Sequence, residues 1–135
     1  MQPAAAGRIF ANSCFSGGKM IVEYIRYKLH HTETASAEEA AATFEAAYRS
    51  ACASLDISPH CLSYELSRCV EETDHYVLRI EWDSAEGHLS GFRRAPEFAP
   101  FLAAIRPYIN QIEEMRHYAP VRIGSGAHAK DGAPA

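Results

Sequence analysis

Four stretches of this chain alternate apolar and polar residues with a period of two, and two stretches between them carry apolar residues at helical spacing. The order is strand, helix, strand, strand, helix, strand. A strand of this pattern can bury one face and a helix of this pattern one stripe, so the chain is restricted to a sheet with helices laid upon it. The first strand runs from Met20 to Leu29, with Ile21, Ile25, Tyr27 and Leu29 on one face and Val22, Tyr24 and Arg26 on the other. Residues 61–70 set Leu62, Tyr64 and Leu66 against Ser63, Glu65 and Ser67. After the acidic turn Glu71-Glu72-Thr73-Asp74, residues 75–82 set Tyr76, Leu78, Ile80 and Trp82 against His75, Arg79 and Glu81. These two strands read as a hairpin. Residues 112–119 read as the closing strand.

The first helix is announced by Ser36 and Glu39, the spacing of a capping box in which hydroxyl and carboxylate each satisfy an orphan backbone donor. Ala37, Ala40, Ala41, Phe44, Ala47, Tyr48, Ala51, Cys52 and Leu55 then form one apolar stripe, and Pro59 forces Ser58 out of helical geometry. The second helix is expected to start from Asp83 as its cap, with Glu86 three positions on. Leu89, Phe92, Phe98, Phe101, Leu102 and Ile105 carry its stripe across a break at Pro96, and Pro107 is expected to end it.

This order is βαββαβ, the α+β pattern of the ferredoxin-like fold, in which two helices cover one face of an antiparallel four-stranded sheet. The other face is expected to hold Val and Tyr among Arg and Glu, an apolar patch that calls for a cover. A homodimer is therefore expected, two sheets facing each other as a dimeric α+β barrel. One folded domain over residues 20–120 is expected, flanked by flexible tails at 1–19 and 121–135 that are rich in Ala, Gly, Ser and Pro. The strand pattern beginning at Met20 marks that residue as an alternative start.

Charge and cysteine content narrow the function classes. A formal net charge of −4 supplies no electrostatic drive toward nucleic acid or an anionic membrane. No run approaches the roughly 20 apolar residues of a membrane-spanning helix. Cys14, Cys52, Cys61 and Cys69 form no CxxC pair and no zinc-type spacing, so they read as free thiols in a reducing compartment, which places the chain in the cytoplasm. Ser16-Gly17-Gly18-Lys19 lacks the spacing and the preceding strand of a phosphate loop.

Three motifs carry a resemblance: HCLSYEL (His60 to Leu66), EWDSAEGHLSGFRRAPEF (Glu81 to Phe98) and RHY (Arg116 to Tyr118). Together they make the stretch from Met20 to Pro120 resemble the antibiotic biosynthesis monooxygenase family. The resemblance implies a dimeric α+β barrel and, as in some members, oxygenation of quinols or polyketide phenols with no metal, haem or flavin. The same resemblance implies a site: Arg26 and His88 as catalytic groups, with Tyr24, Tyr64, Trp82, Phe92 and His117 lining the substrate. Arg26 beside Tyr24 and Tyr64 would anchor a phenolate or enolate, Trp82 would stack on the ring, and His88 would move a proton. Haem-degrading relatives use an Asn in the first strand, where this chain has Tyr24, Ile25 and Arg26, which argues against haem. A histidine common in the family one helical turn after His88 is replaced by Gly91. The competing reading is a small-molecule-binding or accessory domain, without catalysis, that associates with a redox protein. Glu23, Glu65, Arg79 and Glu81 read as strand charges that pair across the sheet or polarise a ligand.

Overall fold

The computed structural model describes residues 19–30 and 36–125, so the expectations for residues 1–18 and 126–135, Cys14 among them, lie outside the described residues. In chain order the elements are β1 (Ile21–Lys28), α1 (Ala37–Ile57), β2 (Cys61–Arg68), β3 (His75–Trp82), a π-helical segment (Gly87–Phe92), α2 (Phe98–Ile105), a 3-10 segment (Arg106–Gln111) and β4 (Ile112–Tyr118). The strands form one antiparallel sheet in the order β2-β3-β1-β4. β1 therefore lies in the interior of the sheet, and its alternation decides what each face can hold. Among the described residues no helix is long and apolar enough to cross a membrane, and Cys52, Cys61 and Cys69 are free thiols.

Local signals account for most element ends. The Ser36 hydroxyl accepts from the Glu39 backbone N–H while the Glu39 carboxylate accepts from the Ser36 N–H, at 3.1 and 2.9 Å, which completes the capping box. Extended Ser58 stops α1 at the residue before Pro59. The second helical region departs from expectation. It divides at Pro96 as its stripe indicated, but Pro107 lies in the first turn of the 3-10 segment, where its missing N–H costs nothing, and does not terminate the run. Leu62 also departs: a register shift between Cys61 and Ser63 leaves it 54% exposed instead of on a face with Tyr64 and Leu66.

The helices pack on the face of β1 that bears Ile21, Ile25 and Tyr27, together with Leu78 and Ile80 of β3. At the α1 end this core is aromatic. Phe44 has no exposed surface, and the rings of Tyr27, Tyr48, Tyr76 and Tyr108 surround it at centroid distances of 4.8–5.2 Å. The Tyr27 and Tyr48 hydroxyls hydrogen-bond to each other, and burial pushes the Tyr27 hydroxyl up to about 12, so it stays protonated.

The opposite face corrects the expectation of a barrel. The four strands make an open sheet whose edge strands, β2 and β4, each pair on one side only. The apolar patch that was to drive closure is also absent as such. Arg26 pairs with Glu114 at 3.2 Å, Arg116 with the same carboxylate at 2.8 Å and Arg79 with Glu81 at 2.6 Å, while the Tyr24 and Tyr118 rings meet edge to face at 5.3 Å. One of these pairs joins β1 to β4 and the other two lie within β4 and β3, so the face is charged as well as aromatic.

Truncating the ring at the centre of the aromatic cluster, Phe44→Ala, should cost about 3–5 kcal/mol. Loss of the cap in Ser36→Ala should cost about 1 kcal/mol. Urea denaturation followed by far-UV circular dichroism measures both, and equal losses would contradict this account of the core.

Candidate functional site

The helix-facing side of β1 carries one residue that does not belong to an apolar surface. Glu23 stands between Ile21 and Ile25 in the two-residue repeat, so the register that buries the isoleucines buries the carboxylate. Around it lies a cavity of about 260 Å³ between the sheet and the segment that follows β3. Its apolar walls include Ile25, Ile80 and Met115 from the sheet and Phe92, Phe101, Leu102 and Ile105 from the helical side. Its polar groups come from Glu23, Trp82, His88, Arg93 and His117.

Each polar side chain is delivered by a different piece of local structure. Trp82 ends β3, and its indole N–H donates to Glu23 Oε1 at 3.0 Å. His117 is the cross-strand partner of Glu23 in the β1–β4 ladder, and its Nε2 lies 3.6 Å from Glu23 Oε2. His88 enters from above. The Ser84 hydroxyl accepts from the Gly87 N–H at 2.8 Å, which makes Ser84, and not Asp83, the group that caps this helical start. Asp83 instead holds the His60 ring, with Oδ2 3.0 Å from Nδ1. The next turn is widened, the Arg93 N–H donating to the His88 carbonyl, and such π-helical turns recur at functional sites. His88 there lies over Trp82 at 4.6 Å between ring centroids, with its Nε2 3.7 Å from Glu23 Oε1.

The glycine one turn after His88 has a steric cause. A Cβ on Gly91 would lie 2.3 Å from His60 Cδ2, and one on Gly87 2.1 Å from Asp83 Oδ1. The His60 ring therefore fills the space that a side chain at position 91 would need.

Burial governs the ionisation of the site. Desolvation raises the Glu23 carboxyl above its ordinary range, opposed by His117, the Trp82 N–H and Arg93. Desolvation, assisted by Arg93, pushes His88 down to about 3. His117 is also lowered, chiefly by burial, with His88 and Arg93 adding to the effect and Glu23 opposing it. Near neutral pH both imidazoles are therefore uncharged. Glu23, His88 and His117 also offer three ligand atoms within 4.8 Å of one another.

Of the residues singled out from sequence, His88, Trp82, Phe92 and His117 meet at this cavity. Arg26 and Tyr24 do not. The same alternation that turns Glu23 inward turns them to the other face, where Arg26 is 56% exposed and paired with Glu114. Tyr64 is on the helix side but on edge strand β2, where its hydroxyl donates to Asp56 at 2.6 Å in a groove separate from the cavity. Two cavity residues, Glu23 and Arg93, were absent from the expected site. For Glu23 the signal was its place in the apolar repeat; for Arg93 nothing set it apart from Arg94.

The model for antibiotic biosynthesis monooxygenases matches residues 25–104. The chain belongs to this family. It is 31% identical over 78 residues to the uncharacterized protein YczJ of Bacillus subtilis, an alignment covering 58% of this chain and 82% of YczJ. Two solved structures share its fold at lower identity. SnoaB, a cofactor-independent oxygenase from Streptomyces nogalater, superposes with a TM-score of 0.55 at 18% identity, covering 73% of this chain and 88% of SnoaB. A conserved protein from Methanosarcina mazei superposes with a TM-score of 0.59 at 16% identity, covering 76% and 93%.

The lowered histidines tie stability to pH. The ordinary histidine value is 6.5, and folded His88 resists protonation down to about 3. Stability fully present above pH 6.5 is therefore lost as pH falls, because the unfolded chain takes up the proton first. His117 acts in the same direction, whereas Glu23, raised from 4.5, regains stability as it becomes neutral. Thermal melts between pH 7 and 5 should show the midpoint falling more steeply in the wild type than in His88→Gln. Parallel curves would mean that His88 titrates as an ordinary imidazole.

Proposed function

We propose that this chain oxygenates a small aromatic, quinol-like compound in the cavity beneath α2, without metal, haem or flavin. The observation that carries this reading is the pairing of an apolar 260 Å³ cavity with a buried carboxylate of raised pKa, two neutral imidazoles and a cation at Arg93. Family membership supports it, as does the shared fold of SnoaB.

The chemistry asks little of the protein beyond handling one proton and one negative charge. A phenol held against Trp82 and Phe92 gives its proton to Glu23, directly or through His117. A carboxylate whose pKa burial raises above its ordinary range suits that role better than His88, whose basicity burial has removed. The resulting anion faces Arg93, whose guanidinium lies 5.8 Å from the Phe98 ring centroid. In an apolar chamber an electron-rich phenolate or carbanion can pass an electron to dioxygen. One oxygen atom becomes a carbonyl oxygen on the attacked carbon, and the other leaves as water with the two hydrogens that carbon loses, so the substrate itself supplies all the reducing equivalents. In this reading His88, Trp82, Phe92 and His117 line the substrate, Glu23 takes the proton role expected of His88, and Arg93 takes the anchoring role expected of Arg26.

A homodimer belongs to the same reading. Its support is the position of Tyr24 and Tyr118 on a sheet face that, among the described residues, carries no helix. Sedimentation at micromolar concentration distinguishes dimer from protomer.

Oxygen uptake with a panel of hydroquinones and anthrone-like phenols, in protein stripped by a strong chelator, tests the activity. With an active substrate, Glu23→Gln should lower kcat by roughly 10²-fold or more. Arg93→Ala should raise KM, and Arg26→Ala should leave both constants near wild type. Tight binding without oxygen uptake across the panel would favour the binding-domain reading.

A further inference from the structure

The distances around Glu23 fit an additional role. Glu23 Oε1 lies 3.7 Å from His88 Nε2, and Glu23 Oε2 lies 3.6 Å from His117 Nε2. These gaps exceed the heavy-atom separation of an N–H···O hydrogen bond, about 2.7–3.2 Å. They approach the spacing of adjacent ligands around one ion, because bonds of about 2.1 Å at tetrahedral angles place donor atoms roughly 3.4 Å apart. All three donors fall within 4.8 Å of one another, so an ion among them draws the most widely spaced pair closer by up to roughly 1.4 Å, within the reach of side-chain rotation.

The surroundings point the same way. The Trp82 indole N–H holds Glu23 Oε1 at 3.0 Å, the kind of outer contact that orients a carboxylate ligand. Both imidazoles are uncharged near neutral pH, the form that ligates. A carboxylate 3% exposed, in an apolar setting, gains more from a divalent charge than a solvated one would, while Arg93 at the cavity acts against it. All three side chains line the cavity, which leaves room there for a further ligand.

We propose that Glu23, His88 and His117 form a binding site for a borderline divalent ion of the zinc, cobalt or ferrous class, with one coordination position facing the cavity. Two imidazoles and one carboxylate select such ions over magnesium and calcium, which take oxygen donors. This inference goes beyond the oxygenase reading and does not rest on it. An ion held by Glu23 would occupy the carboxylate that takes the substrate proton, so the metal-loaded protein would be the inactive form of a metal-free oxygenase.

Calorimetric titration of chelator-stripped full-length protein with zinc should give one site per chain, with no saturable heat from magnesium. His88→Ala and His117→Ala should each weaken zinc at least a hundredfold. Trp82→Phe, which keeps the ligands but removes the indole N–H, should weaken it about tenfold. His75→Gln should bind as the wild type does, because His75 pairs with Asp74 and Glu113 away from the cavity. In wild-type protein, which avoids any question of variant folding, zinc should shift the imidazole resonances of His88 and His117 and leave that of His75 in place.

Three results would overturn the site: no saturable zinc binding up to millimolar concentration, binding that moves the His75 resonances instead, or a cobalt complex showing a thiolate charge-transfer band. Because each readout is binding and not turnover, the site can fail while the oxygenase stands, and the reverse.

Discussion

The burial of Glu23 on an interior strand constrains the rest of this end of the molecule. A carboxylate withdrawn from water costs several kcal/mol unless donors or positive charge compensate it. Here the compensation comes from the end of β3 through Trp82, from the π-helical segment through His88, from β4 through His117 and from the cavity wall through Arg93. None of these is adjacent to Glu23 in sequence. The carboxylate thus couples the register of β4, the end of β3 and the widened turn after it, and a shift in any of them would leave a buried charge exposed to an apolar cavity.

The two ends of the helix-facing core divide the work. Beneath α1 the rings around Phe44 pack without a cavity of comparable size being needed for function, and this is where dense contact supplies stability. Beneath α2 the core is hollow, which forgoes packing energy. On the far face buried Glu81 depends on Arg79 for compensation, whereas the pairs of Glu114 with Arg26 and Arg116 contribute little, since exposed pairs are worth on the order of 0–1 kcal/mol each. Their effect is on solubility and register. Arg26 of β1 reaches Glu114 across the ladder, while Arg116 holds the same carboxylate from within β4, so a slip of one residue between the strands would break the first contact and leave the second.

The sheet, the first helix and its cap were legible because period-two alternation and the Ser36–Glu39 pair are local signals. The barrel was not, because it depended on the net character of a face. Whether Val22, Tyr24, Arg26, Arg79 and Glu114 make an apolar patch or a salt-bridged one is decided by which charges become cross-strand neighbours, and alternation alone does not give that register. The site was half legible for a related reason. Arg26 and Tyr24 were grouped with Trp82 and His88, yet the helices cover one face only. A histidine carried by the helical segment can meet only strand residues in the parity of Ile21 and Ile25, which admits Glu23 and excludes Arg26.

His60 closes one position on the helical segment. Asp83 gives up the capping role to Ser84 and holds the His60 ring against Gly87 and Gly91, so the position one turn beyond His88 has no room for a side chain. Polar chemistry on the helix is reduced to His88, whose basicity burial has nearly removed. What remains able to take a proton or a cation is therefore concentrated on the sheet, in the Glu23–His117 cross-strand pair, with the helix contributing one lone pair and aromatic cover. The β1–β4 ladder, which pairs Glu23 with His117, thus sets the geometry of whatever reaction the cavity supports.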